Sequence, residues 1–378
     1  MTHCVILSQS RIFEGKMQDK YLEFITPTRV VYQCGGAAQA SDLTGRIGVE
    51  RPYIVADEGV ARAGLVDTVV GTLDPAGIFL EVPADGDLET AERIAADMKE
   101  KKADGLVALG GGSVIDTAKG ANIVFTMGGK LEEHQGVGVI PARLSPFIVI
   151  PTTAGTGSEV SRVAALKDSA LQQKLFFESE YLAADVALLD PEMTKTLPPK
   201  LTAATGMDAL THAVEALLSS NEGPLTNALA TYAVNAIFEW LPVAVKEGGN
   251  LDARAHMLFA STAAGAAFSS AGVGVVHACS HGLGVLCGLH HGLANSIMLP
   301  HGVRFNLPGP HPNVSADMPE RLAELARECG LPATLREVGV EEDRLPAVSE
   351  YAEGDASMIY NPREANAGDL LKVLKNAY

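Results

Sequence analysis

The feature that most constrains this chain is a change of rhythm near residue 196. Before it, short apolar runs alternate with segments of helical period. Residues 52–56 (PYIVA), 78–82 (IFLEV), 106–109 (LVAL) and 147–150 (FIVI) are four or five residues long and stop at Asp, Pro or Gly, as buried strands do. Between them, residues 87–102 and 113–126 carry apolar side chains at helical spacing. This is the arithmetic of βαβ units and predicts a parallel sheet with helices on both faces. After Pro198-Pro199 the composition turns to Ala, Leu and Gly, and no strand-type run recurs. Helical patterns over about 201–219, 225–247, 252–287, 318–329 and 367–377 predict an all-helical second half. The expected division is an α/β domain over 1–195 and a helical domain over 196–378, with the cleft between them as the expected site.

Bulk properties narrow the ligands. A chain of 378 residues, 47 % hydrophobic, exceeds what one core serves and has enough apolar content to fill two. Its net charge of −17 repels polyanions, so nucleic acid and anionic membrane are disfavoured and small molecules are expected. The five cysteines, at 4, 34, 279, 287 and 329, are odd in number and lack CxxC spacing, which reads as reduced thiols in a cytoplasmic protein. The N-terminus, MTHCVILSQSRIFEGKM, shows no secretory pattern. Residues 262–276 are the most membrane-like stretch, yet too short and too rich in Gly, Ala and Ser for a span of about 20 strongly apolar residues. No repeat or low-complexity tract occurs.

Residues 106–119, LVALGGGSVIDTAK, read as a strand, a bare-backbone turn and a helix start. Such a turn lets an anion approach the first helical N–H groups, and Ser113 with Asp116 has the spacing of a capping box. A phosphate suits this position, although GGGS also serves a plain tight βα turn and is not the GxGxxG fingerprint. Asp57 follows an earlier strand, where a carboxylate can take both hydroxyls of a ribose and repel a 2′-phosphate, or can cap the next helix. A third loop, residues 151–160 (PTTAGTGSEV), joins hydroxyls and glycines after a buried strand and can donate hydrogen bonds to a diphosphate.

The helical half holds a second cluster. Asp208 and His212 are four residues apart and share a helix face, as do His277 and His281, while His291 lies beyond Gly288 and can turn back to the same point. One carboxylate and three neutral imidazoles suit a divalent metal with an open coordination position. His277, His281, His290 and His291 compete for the imidazole positions, and both Fe²⁺ and Zn²⁺ accept such a set.

Taken together, GGGSVIDTAK at 110–119, PTTAGTGSEV at 151–160, LDP at 189–191 with Leu197-Pro198, GMDALTHAVE at 206–215, His277 with His281, and His291-Gly292 resemble the iron-containing (group III) alcohol dehydrogenases. The likeness runs on to Asn361-Pro362-Arg363 and the terminal Ala377-Tyr378. It implies an N-terminal dinucleotide-binding domain with a Rossmann-like parallel sheet, and a helical, catalytic, metal-binding domain. It implies Asp208, His212, His277 and His291 as metal ligands and His281 as a proton-relay candidate near the substrate. Gly110, Gly111, Gly112 and Ser113 would bind the pyrophosphate, with Asp116, Thr152, Thr153 and Thr156 near the cofactor and Asp57 favouring NAD. The implied activity is reversible hydride transfer between a small primary alcohol, diol or hydroxy acid and NAD, with Fe²⁺ or alternatively Zn²⁺, in a homodimer or higher oligomer. Hydroxyacid–oxoacid transhydrogenases, glycerol dehydrogenases and dehydroquinate-synthase-like enzymes resemble the same pattern. One departure is Ser269-Ser270, where relatives often carry Ser-Asn; local hydrogen bonding is expected to change there.

Overall fold

A computed structural model describes residues 21–169, 171, 173–309 and 311–378. Cys4 and the N-terminal segment read above for a secretory pattern lie outside the described residues. The chain divides into two compact units: Ile25–Leu197 with Gly248–Leu258, and Pro198–Glu247 with Phe259–Tyr378 and residues 21–24.

The first unit contains β1 (Arg29–Tyr32), α1 (Ala40–Arg46), β2 (Pro52–Val55), α2 (Glu58–Arg62), α3 (Leu65–Val70), β3 (Gly77–Phe79), α4 (Leu88–Glu100), β4 (Gly105–Gly110), α5 (Gly112–Met127), β5 (Gly136–Val137), β6 (Phe147–Pro151), β7 (Val163–Asp168), β8 (Gln173–Glu178) and β9 (Val186–Leu189). Six strands form one all-parallel sheet in the order β1-β9-β6-β4-β2-β3. Successive side chains of a strand point to opposite faces, and both faces here are buried. Tyr53, Val55, Leu106, Ala108, Phe147 and Val149 pack with Ile94, Met98, Ile115 and Ile123 of α4 and α5 on one side. Ile54, Val107, Leu109, Ile148 and Ile150 pack with Leu43, Val66 and Val69 of α1 and α3 on the other. Double burial is the reason these strands read as continuous apolar runs. Helix α4 starts where the Asp87 carboxylate accepts from Thr90 N at 2.7 Å.

Two strands of this sheet escape the sequence pattern. β1 is an edge strand with Val30 and Tyr32 exposed, and β9 is only four residues long. The small second sheet, β5-β8-β7, pairs β7 and β8 antiparallel and turns Ala164, Leu166, Leu175 and Phe177 inward.

The second unit is helical: α6 (Pro199–Leu218), α7 (Pro224–Lys246), α8 (Leu251–Ala271, whose start belongs to the first unit), α9 (Val275–Cys287), α10 (His291–Asn306), α11 (Met318–Glu328), α12 (Leu345–Glu353) and α13 (Ala367–Asn376). The single helix expected over 252–287 is two helices, α8 and α9, bent by 102°. Gly272, at φ +80°, makes that break, since a left-handed residue cannot continue a right-handed helix. Helix α10 was not expected. It contains Pro300 and buries Ala294, Ile297, Met298, Leu299 and Val303, so it lacks the one-sided apolar period that marks a surface helix. Helix α12 is likewise absent from the pattern. Among the described residues α7 is the one unbroken helix long and apolar enough to cross a membrane by length and composition, and it turns Ala230, Ala233, Val234, Ile237 and Leu241 inward. Cys34, Cys279, Cys287 and Cys329 are free thiols.

Candidate dinucleotide and metal sites

In the parallel sheet, chain order proceeds outward from β2 to β3 on one side and from β4 through β6 to β9 on the other. The crevice at the carboxyl ends of β2 and β4 is therefore a topological switch point, where open α/β sheets bind ligands. Register places Val55 beside Ala108 and Gly110 beside Pro151, so the turns after β2, β4 and β6 are neighbours. Thr152 N donates to Gly110 O at 3.0 Å, which ties the threonine loop to the glycine turn. Side chains are excluded from that turn by space. A Cβ on Gly111 would stand 3.1 Å from Thr153, and one on Gly112 would stand 2.6 Å from the Thr156 methyl.

The expected capping box is not formed. Gly111 is the N-cap of α5 and no side chain caps the helix, because Ser113 already lies inside its first turn. Ser113 Oγ instead accepts from Asp85 N at 3.1 Å, and Asp116 Oδ2 accepts from Ala165 N at 3.1 Å. A sixteen-residue helix thus begins in a glycine turn with no side-chain cap, the arrangement that suits an anion. Asp57 caps the five-residue α2, its Oδ1 accepting from Val60 N at 2.9 Å.

Deeper along α5, Lys119 is buried and donates to Ser161 O (2.9 Å), Ser161 Oγ (3.1 Å) and Val163 O (2.8 Å). Burial pulls its pKa down to about 8, with Asp116 and Glu159 opposing that fall. Burial raises the Asp116 carboxyl, opposed first by Lys119 and then by the Ala165 N–H and Ser158. One helical turn of α5 therefore grips the chain as it enters β7. Lys119 lay in the glycine motif, yet nothing in its spacing announced this role.

In the helical unit, α6 presents Asp208, His212 and Glu215 at i, i+4 and i+7, all buried. Glu215, which sequence reasoning passed over although it shares this face, performs two tasks. Its carboxylate accepts from Val276 N (2.8 Å) and His277 N (3.4 Å) at the start of α9, and Oε2 lies 2.6 Å from His277 Nδ1. With Nδ1–H held by a carboxylate, the Nε2 lone pair of His277 is left for a ligand, the outer-shell pattern of metal-bound histidines. Asn361 completes the cap by accepting from Val275 N at 3.0 Å, a structural reason for the Asn-Pro-Arg segment near the C-terminus.

His291 opens α10, and Gly292 lets that helix approach α6: a Cβ there would stand 2.6 Å from Ala204 O and 3.5 Å from Asp208 Cβ. The ligand atoms of Asp208, His277 and His291 all lie within 4.8 Å of one another. His291 Nε2 is 3.6 Å from Asp208 Oδ1. Asn295 Nδ2 faces all three, at 2.6 Å from Asp208 Oδ1, 3.1 Å from His291 Nε2 and 3.3 Å from His277 Nε2. An amide has two N–H hydrogens for these three acceptors, so the cluster carries more lone pairs than its own donors can satisfy. Such a donor set fits a divalent cation.

The structure places the other candidates around this group. His212 does not contribute an atom to it; its ring stacks on Phe268 at 4.2 Å and lies 4.5 Å from the His277 ring. His281 stands beside it, 5.4 Å from the His291 ring and 6.0 Å from the His277 ring, with Nδ1 2.9 Å from Asp355 Oδ2. Asp355 accepts a second bond from Ser357 N at 2.8 Å. Burial works to raise the Asp355 carboxyl, but His281 and the Ser357 contacts outweigh it and hold the pKa below the ordinary value. Asp355 is 74 positions from its histidine, and no local pattern could have paired them. His290 is exposed. At the Ser269-Ser270 departure, Ser270 O accepts from Asn221 Nδ2 at 2.8 Å.

Comparison with known proteins agrees across both units. The family profile of the iron-containing alcohol dehydrogenases matches residues 27–191, and that of the Fe-containing alcohol dehydrogenase family C-terminal region matches 202–314. The chain is 34 % identical to the NAD-dependent methanol dehydrogenase of Bacillus methanolicus, covering 94 % of this chain and 99 % of that one. It is 36 % identical to the 4-hydroxybutyrate dehydrogenase of Cupriavidus necator, over 88 % and 93 % of the two chains. A solved 1,3-propanediol oxidoreductase superposes with a TM-score of 0.89 at 32 % identity, covering 95 % of this chain and all of the other (100 %). With the glycine turn, the buried carboxylate–imidazole cluster and these matches in hand, the chain belongs to the iron-containing alcohol dehydrogenase family.

Proposed function

We propose that the protein oxidises small primary alcohols reversibly, R–CH₂OH and NAD⁺ giving R–CHO, NADH and a proton. The observation that carries this reading is the convergence of Asp208, His277 and His291 in a chain of this family. Asp208, His277 and His291 hold a divalent ion, and His212, outside their group but with its ring 4.5 Å from that of His277, is proposed as the fourth ligand. Fe²⁺ is the proposed ion and Zn²⁺ the alternative. When bound, the ion supplies Lewis acidity that makes an alcohol easier to deprotonate, and NAD supplies the hydride acceptor.

The chain's own groups do the rest. Glu215 keeps His277 in the tautomer that offers Nε2. Asp355 holds Nδ1 of His281 and so orients the ring, whose Nε2 is proposed to receive the alcohol proton. Residues 1–195 are proposed as the NAD-binding portion and 196–378 as the metal-binding portion. Gly110, Gly111, Gly112 and Ser113 receive the pyrophosphate at the start of α5, Thr152, Thr153 and Thr156 donate to the cofactor from the adjoining loop, and Asp116 steadies that loop. Asp57 takes the adenosine ribose hydroxyls and disfavours a 2′-phosphate.

The net charge of −17 supports a small-molecule partner rather than nucleic acid or an anionic membrane. A cytoplasmic homodimer or larger assembly is part of the same proposal. The test is a panel of alcohols and aldehydes with NAD(H) and NADP(H), on protein loaded separately with Fe²⁺ and Zn²⁺. Net NADH accumulation from alcohol and NAD is expected; turnover only as an exchange between alcohol and a second carbonyl compound would favour a transhydrogenase.

A further inference from the structure

We propose that Asn295 is a positioning residue of the metal centre, a neutral donor that fixes Asp208 for the ion. This rests on the metal reading above. Asn295 lies four residues after His291, so one face of α10 supplies both an imidazole and an amide to the cluster. Its side chain is fully buried, and its shortest contact, 2.6 Å, is to the charged acceptor Asp208 Oδ1. The two imidazole nitrogens are farther away, at 3.1 and 3.3 Å. The reverse orientation of the amide would set Oδ1 against a carboxylate oxygen, so the nitrogen must face the cluster.

The chemistry of the choice is specific. A buried carboxylate needs a hydrogen-bond donor to hold its rotamer, and Lys or Arg would oppose the cation the site is built to take. Asn supplies the donor without charge. Asn295 thereby acts on Asp208 as Glu215 acts on His277, each fixing one ligand from outside the coordination set.

The test compares Zn²⁺ dissociation constants of wild type, Asn295→Leu and Asn295→Ala by competition with a chromophoric chelator, alongside thermal melting of each chelated protein. Leu keeps the branched shape without the donor but is bulkier, and Ala removes bulk that could clash, so misfolding of one variant leaves the other to be read. The expected result is a 10–100-fold loss of Zn²⁺ affinity in both, the size seen when such supporting groups are removed. The melting points of the chelated variants should change much less than those of the Zn²⁺-loaded forms. Wild-type affinity in either folded variant overturns the inference while leaving the metal reading intact. A wild-type protein that takes up no Zn²⁺ overturns both.

Discussion

At the end of β4 the chain offers main-chain N–H groups and room, whereas on α6, α9 and α10 it offers buried side-chain lone pairs held by further side chains. Gly112 matters because a Cβ there would strike Thr156, and Gly111 because one there would crowd Thr153. Asp208 and His277 are held by hydrogen bonds to Asn295 and Glu215. The first arrangement should be broken by adding atoms and the second by removing them.

Replacing His277 or Asp208 by Ala should abolish metal retention, measured by metal analysis after desalting, and lower turnover by more than about 1000-fold, beyond what one lost transition-state donor costs. Glu215→Gln leaves an acceptor for the start of α9 but offers no carboxylate to His277, so Zn²⁺ affinity should fall about 10–100-fold in chelator competition. In the sheet unit, Gly112→Ala should cost about 1–3 kcal/mol by overpacking against Thr156 and raise KM for NAD. Adding Thr156→Gly to it should recover part of the stability, which a double-mutant cycle in urea would read.

How much of this was legible follows from the same contrast. The βαβ rhythm showed because β2, β4 and β6 are buried on both faces. Helical spacing is local, so it put Asp208 and His212 on one helix, although His212 lies outside the group formed by Asp208, His277 and His291. The partners that hold the site did not show as such. Asp355 meets His281 across 74 residues, and Lys119 meets Ser161 across 42, distances over which spacing carries no information. Glu215 and Asn295 were within reach, since each follows a candidate histidine on its helix, His212 by three residues and His291 by four. Helix α10 was invisible because burial on every side, with Pro300 inside, erases the period that sequence reading depends on. The Ser113–Asp116 capping box failed because the helix starts two residues earlier than the motif suggests, with Gly111 and not Ser113 at the N-cap.

His301 lies on the same helix as His291, but burial, reinforced by Arg304, lowers its pKa to about 4. The unfolded chain therefore binds the proton first: the stabilisation is complete above pH 6.5 and is lost as pH falls from 6.5 to 4. His301→Gln should flatten that part of the stability curve by about 2 kcal/mol, allowing for partial exposure, as urea midpoints across the range would reveal. Asp57→Ala should cost about 1 kcal/mol through the lost cap on α2. A ribose role adds a fall in the preference for NAD over NADP, and an unchanged preference would reduce Asp57 to its cap.

In the proposed function, hydride transfer depends on an ion held by Asp208, His277 and His291. Its most direct test is to strip the protein with a chelator, verify metal content, and follow NADH formation from a primary alcohol before and after adding back Fe²⁺ or Zn²⁺. The account predicts that turnover vanishes with the ion and returns as one ion per chain is bound, with no return in His277→Ala. Undiminished NADH formation by the verified metal-free protein would contradict it.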